Sequence, residues 1–132
     1  MSNGSLTPPR VLLIGLAPEA VDLTDAPIDL PTLKARIVAG DAAVAAAGYD
    51  AVSCLVGTEP AEAETVVRDR LADGSWDAVM IGAGIRALPA HTELYERIVN
   101  AVHEMAPNAR FAFNTAPDTT LDALERALAR HE

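Results

Sequence analysis

Hydrophobic positions along the chain fall into two kinds of pattern. Val11 to Leu16, Ala51 to Val56, Ala78 to Ile81 and Phe111 to Phe113 are short, nearly continuous apolar runs. Runs of this kind fit strands covered on both faces, as in a parallel sheet. The segments between them repeat their apolar positions at helical spacing. Leu33, Ile37, Gly40, Val44 and Ala47 lie in one stripe, which predicts a helix over Pro31 to Ala47. Pro31 suits a first helical turn, and Gly48 suits the stop. A second helix is expected from a Thr58 N-cap to Asp73-Gly74, with Val66, Val67 and Leu71 inward. A third runs from Pro89 to Met105, with Leu94, Ile98, Val102 and Met105 in line. A fourth runs from Ala116 to Arg130 behind a Thr115–Asp118 capping pattern, with Leu121, Leu124 and Leu128 as its stripe.

The order is therefore β-α-β-α-β-α-β-α. Parallel strands joined by right-handed helical crossovers give a three-layer α/β/α sandwich with a sheet of about four strands. The expected strand order is 2-1-3-4, a truncated flavodoxin-like arrangement. With 132 residues the chain fits one domain, spanning 10–132 behind an N-terminal tail at 1–9. One joint is long. Ala17 to Leu30 covers about 14 residues, where connections in such folds usually take roughly 2–6. It carries Glu19, Asp22, Asp25 and Asp29, and it leaves a central strand, so a lid over a site is the expectation.

Composition narrows the function classes. The formal net charge is −9, with Lys34 the only lysine. Nucleic-acid binding needs a clustered basic face, and none is present. An anionic membrane surface is disfavoured for the same reason. No apolar run approaches a membrane span, and the first residues contain no apolar signal segment, so a cytoplasmic protein is expected. Cys54 is the single cysteine and falls within a strand, as an unreactive core thiol would. His91, His103 and His131 lack metal-ligand spacing. No G-x-S-x-G elbow or Cys–His pairing occurs, so neither catalysis nor a cofactor is legible.

Ligands of open α/β sheets bind at the carboxyl ends of strands, where strand order reverses. Here the loops meeting there begin at Gly15 and Gly82, flanked by Asn114-Thr115 and Thr58-Glu59. Gly82 to Ala87 reads G-A-G-I-R-A, formally a G-x-G-x-x-A sequence between a strand and a helix. It follows the third strand instead of opening the fold, and no acidic residue ends the next strand, so a dinucleotide is disfavoured. A smaller anion, a phosphate or carboxylate group, is the expected ligand. Gly82, Gly84, Arg86, Asn114 and Thr115 are its candidate contacts. In the alternative, the glycines make a tight exit, Arg86 pairs with Asp22 or Asp25, Thr115 caps a helix and Asn114 bridges loops. The first helix also carries Val38, Ala42, Ala45 and Ala46 away from its core stripe, which points to a second buried face and a homodimer or partner-binding module.

Ile81-Gly82-Ala83-Gly84-Ile85-Arg86, Asn100-Ala101-Val102-His103 and Ala112-Phe113-Asn114-Thr115 together resemble small flavodoxin-like, Rossmann-like bacterial proteins to which no activity is assigned. The resemblance implies a fold and no mechanism. The acidic pair of a response-regulator receiver, the Ser/Thr-rich phosphate loop of a flavodoxin and the D-x-H-x-x-G stretch of cobalamin-binding domains are not in the sequence.

Overall fold

A computed structural model describes residues 7–24 and 26–129. Most of the expected tail, Asp25, Arg130 and His131 lie outside the described residues. Four strands, β1 (Arg10–Leu16), β2 (Asp50–Val56), β3 (Ala78–Ile81) and β4 (Arg110–Phe113), form an all-parallel sheet in the order β2-β1-β3-β4. Both the strand order and the three layers are those expected from the sequence. Central β1 pairs with β2 along its whole length, from Arg10 opposite Asp50 to Leu16 opposite Val56.

Alternate residues of β1 feed the two faces. Leu12, Ile14 and Leu16 point to one side with Cys54, Val56, Val79 and Ile81. There they meet α2 (Pro60–Leu71) through Ala63, Val67 and Leu71, and α4 (Thr92–Met105) through Leu94, Ile98, Ala101 and Val102. Val11, Leu13, Ala78, Met80 and Ala112 point to the other side. They meet α1 (Leu30–Ala46) through Val44, and α5 (Thr120–Leu128) through Ala123 and Leu124.

Element ends depart from the expected ones in instructive ways. Asp29 caps α1 by accepting from the Thr32 amide at 2.9 Å, with Pro31 in the first turn. At α2 the cap is Glu59 and not Thr58: its carboxylate accepts from the Glu62 amide at 2.9 Å. The expected third helix opens as a 3-10 turn, and an additional short helix precedes it where a loop was expected. A one-turn helix, α3 (Ala83–Arg86), starts directly at Gly82; a 3-10 turn at Pro89–His91 then leads into α4. The fourth helix begins later than expected, after a 3-10 turn at Pro117–Thr119. Thr115 does not cap it: its amide and that of Ala116 donate to the Thr119 hydroxyl. Asp118 instead pairs with Arg36 of α1 at 2.8 Å.

Inward stripes also differ: Val66 of α2 and Met105 of α4 are exposed, and α1 departs furthest. Only Gly40 and Val44 are buried there, whereas Leu33 and Ile37 are half-buried and Ala47 is exposed. Gly40 lies so close to the Pro117 backbone that a Cβ would collide with its carbonyl oxygen. α1 is thus pinned to the Pro117–Thr119 turn at Gly40, and one turn on Val44 is the one side chain that it buries fully against the strands.

Candidate functional site

An apolar cleft of about 170 Å³ opens between α1 and the carboxyl ends of β1, β2 and β3. Leu13, Gly15 and Met80 form its floor, and Leu33, Ile37 and Asp41 of α1 form its roof. Ser53 and Leu55 of β2 bound one side. Gly82 to Gly84, Asn114, Ala116, Pro117 and Thr120 bound the other. Val21 brings the long joint to the rim, and a 2.7 Å ion pair between Glu19 and Lys34 ties that joint to α1. A cavity near 150 Å³ can hold a ring the size of benzene, so this volume suits a compact molecule.

The cleft arises from α1 itself. Between Ile37 and Ala47 that helix carries two valines, one glycine, one aspartate and otherwise alanine, so it has little bulk to fill the space. The close Gly40–Pro117 contact fixes its height over the sheet.

Three of the five sequence candidates line this cleft: Gly82, Gly84 and Asn114. Asn114 is buried, and its amide is fully engaged in bridging loops. Its Oδ1 accepts from the Ala83 amide at 2.9 Å, and its Nδ2 donates to the Thr120 hydroxyl at 3.0 Å. Thr120 donates in turn to the Pro117 carbonyl at 2.9 Å. Gly82 is explained by packing: a Cβ there would sit 3.4 Å from the Ile14 carbonyl oxygen. Gly84 has room for a Cβ at ordinary contact with Leu16. Its carbonyl accepts from His91 Nδ1 at 3.0 Å, which anchors α3 to the following turn.

Arg86 and Thr115 do not line the cleft. The Arg86 guanidinium donates to the Ile81 carbonyl at 3.1 Å and to the Asn114 carbonyl, and lies 5.1 Å from the centroid of the Phe113 ring. It ties the ends of β3 and β4 together. Of the two acids weighed for it from the sequence, Asp22 instead accepts from the Thr24 amide at 3.0 Å, and Asp25 lies outside the described residues. Thr115 is exposed beside the Thr119 hydroxyl.

Asp41 and Ser53 are the lining residues that motif reading missed. Neither side chain has a hydrogen-bond or ion-pair partner among the described residues. Burial pushes the Asp41 carboxyl above its ordinary value, because desolvation disfavours the charged form. Among the described residues Asp41 is the only ionisable side chain in the lining. The available signal in the sequence was its isolation: one acid inside the apolar run Ile37 to Ala47.

Cys54 faces the α2 side of the sheet. Its thiol is pushed up to about 11, chiefly by burial, with Arg70 opposing the shift. Among the described residues no group of three or more His, Cys, Asp and Glu is placed to hold a metal ion. No helix among them is long and apolar enough to cross a membrane. No protein-family model matches the chain, and no curated protein sequence matches it significantly.

Proposed function

We propose that this domain binds a compact small molecule in the cleft under α1. The ligand presents an apolar body to Leu13, Leu33, Ile37 and Met80, and a hydrogen-bond donor, such as an amine, to Asp41 and Ser53. The observation that carries this reading is the Asp41 carboxylate, half-buried on an apolar wall with no partner among the described residues. A cationic donor would relieve the burial penalty on that carboxylate and be held by it. The phosphate or carboxylate ligand expected from G-A-G-I-R-A is less well supported, since the one cation near the motif is committed to backbone carbonyls.

The test is a thermal-shift comparison of benzylamine, benzyl alcohol, benzoate and inorganic phosphate. A ligand at 100 times its Kd adds about 2.7 kcal/mol of stability, several degrees in a domain of this size. The amine is expected to raise Tm, the alcohol to raise it less, and Asp41→Asn to remove the advantage of the amine. A shift with benzoate or phosphate alone would return the anion to first place. A flat response to all four would discard the cleft as a site for this class of molecule.

A second reading, self-assembly, is favoured by the exposure of large apolar side chains on neighbouring elements. Val38 of α1 is 67% exposed, Leu55 of β2 43% and Val66 of α2 38%.

A further inference from the structure

The two edges of the sheet are built differently. β4 is four residues long, and Arg126 donates to its last carbonyl, that of Phe113, at 2.9 Å. β2 is seven residues long, with no proline and no charge between its ends. Parallel pairing with β1 uses the main-chain groups of its even-numbered residues. The Asp50 amide donates to the Pro9 carbonyl at 2.9 Å, and the Val56 carbonyl accepts from the Ala17 amide at 2.7 Å. The amides and carbonyls of Ala51, Ser53 and Leu55 therefore face outward, and no described residue bonds to them. A long unprotected edge is a template for another strand.

The helices flanking this edge continue the same surface. On α1, Val38 and Ala45 lie opposite the side that meets Pro117 and Asp118, which turns them toward β2's open edge or outward. On α2, Glu64 and Arg68 turn toward α4, which leaves Glu62, Val66 and Arg70 on the far side. Glu62 and Arg70 stand one turn to either side of Val66. Both are exposed, and neither has an ion-pair partner among the described residues.

That arrangement is self-complementary in one orientation. We propose that the chain forms a two-fold homodimer through β2, with a two-fold axis perpendicular to the sheet near Ser53. β2 then pairs antiparallel with its copy, and Ala51 faces Leu55 of the partner subunit. The same rotation sets the two α2 helices antiparallel, so Glu62 meets Arg70 of the partner subunit and Arg70 meets the partner's Glu62. An isologous interface makes each such pair twice. A parallel arrangement would bring like charges together and is disfavoured. Ser53 and Leu55 also line the cleft, so the partner strand would close its open side. This proposal rests on the self-assembly reading and gives it a surface.

Sedimentation velocity on the full chain at micromolar concentration tests both, with circular dichroism to check folding. The wild type is expected at twice the chain mass. Ser53→Pro removes an outward amide without breaking a bond to β1 and is expected to give a folded monomer. Glu62→Arg and Arg70→Glu, made singly, set like charges opposite each other twice. Each is expected to weaken the dimer about tenfold. The double variant is expected to restore it, which an unfolded or merely destabilised chain could not do. A monomeric wild type overturns self-assembly and this interface together. A dimer indifferent to Ser53→Pro and to the charge exchange leaves self-assembly standing and overturns the β2 edge as its surface.

Discussion

The two faces of the sheet solve the same packing problem with different materials. On the α2/α4 face, leucine, isoleucine and valine from both helices fill the space above β1 and β3. The two helices are also linked by ions. Glu64 receives Arg68 and Arg97, each at 2.8 Å, Arg68 reaches Glu104 at 2.7 Å, and Arg97 reaches Glu93 at 3.0 Å. On the α1/α5 face, α1 buries only Gly40 and Val44, and beyond Ile37 it is otherwise mostly alanine. One face is filled and the other is left hollow at the carboxyl end. Room for a ligand is thus made by withholding bulk from one helix, while the opposite face supplies the stability that a hollow face cannot.

A matched pair of truncations should expose this contrast most strongly. Ile98→Ala on the filled face is expected to cost about 3 kcal/mol in urea unfolding, as buried isoleucine truncations do. Ile37→Ala on the cleft roof removes the same atoms from a half-buried position and should cost about 1 kcal/mol or less. Equal losses would mean that the cleft is collapsed in solution.

The next largest effect is expected at Gly40→Ala. Alanine favours the helix by up to about 1 kcal/mol, but its Cβ would drive α1 away from Pro117. A net loss of about 1–2 kcal/mol is expected from the overpacking, with altered ligand response in the cleft. A stabilised variant would show that α1 can shift freely, so its height over the sheet would not be fixed at Gly40.

Two titrations sharpen the comparison with smaller effects. Arg68 and then Arg97, by hydrogen bonding, hold the Glu64 carboxyl below its ordinary 4.5. Its contribution is complete above that value and is lost as pH falls through the depressed folded-state value. Glu64→Gln should therefore flatten the acid limb of Tm against pH below about 4.5 and leave the neutral region with a modest loss. Asp41 behaves in the opposite sense. Its folded-state value lies above the ordinary 3.8, so the fold loses stability as pH rises through that window. Asp41→Asn should match the wild type in acid and exceed it slightly at neutral pH. An Asp41→Asn variant less stable at neutral pH would place a cation beside that carboxylate.

Topology was legible because each layer writes its own period into the chain. VLLIGL and AVMI read as strands covered on both sides, and the expected stripes of α4 and α5 hold at Leu94, Ile98, Val102 and Leu124, with Leu121 and Leu128 half-buried and Met105 exposed. Helix ends were harder to read. Glu59 caps α2 through the Glu62 amide in place of Thr58, and Thr115, the expected cap, has its own amide taken by the Thr119 hydroxyl, because which neighbouring oxygen reaches an amide depends on the turn before the helix. α3 was hidden because A-G-I-R holds no helical period in four residues. For the cleft, the sequence pointed to the end of the sheet where it opens and to three of its lining residues. It could not assign Arg86, whose partners are carbonyls at the ends of two strands that only the fold brings together. Nor could it find the cleft, since a stripe tells which side of a helix turns inward and not how far the helix stands off. That distance is set by Gly40 against Pro117, far apart in the chain.

Trp76 is the only tryptophan, and its place at the opposite end of the sheet has an optical consequence. It is buried just before β3, its indole N–H donates to the Leu71 carbonyl at 3.0 Å, and Arg10 stacks 4.2 Å from the ring centroid. Its fluorescence should be blue-shifted in the native state and move to the red only when the whole domain opens. Because it does not line the cleft, occupancy by a small molecule should leave its emission colour unchanged. The chain thus carries a built-in reporter that reads unfolding separately from binding.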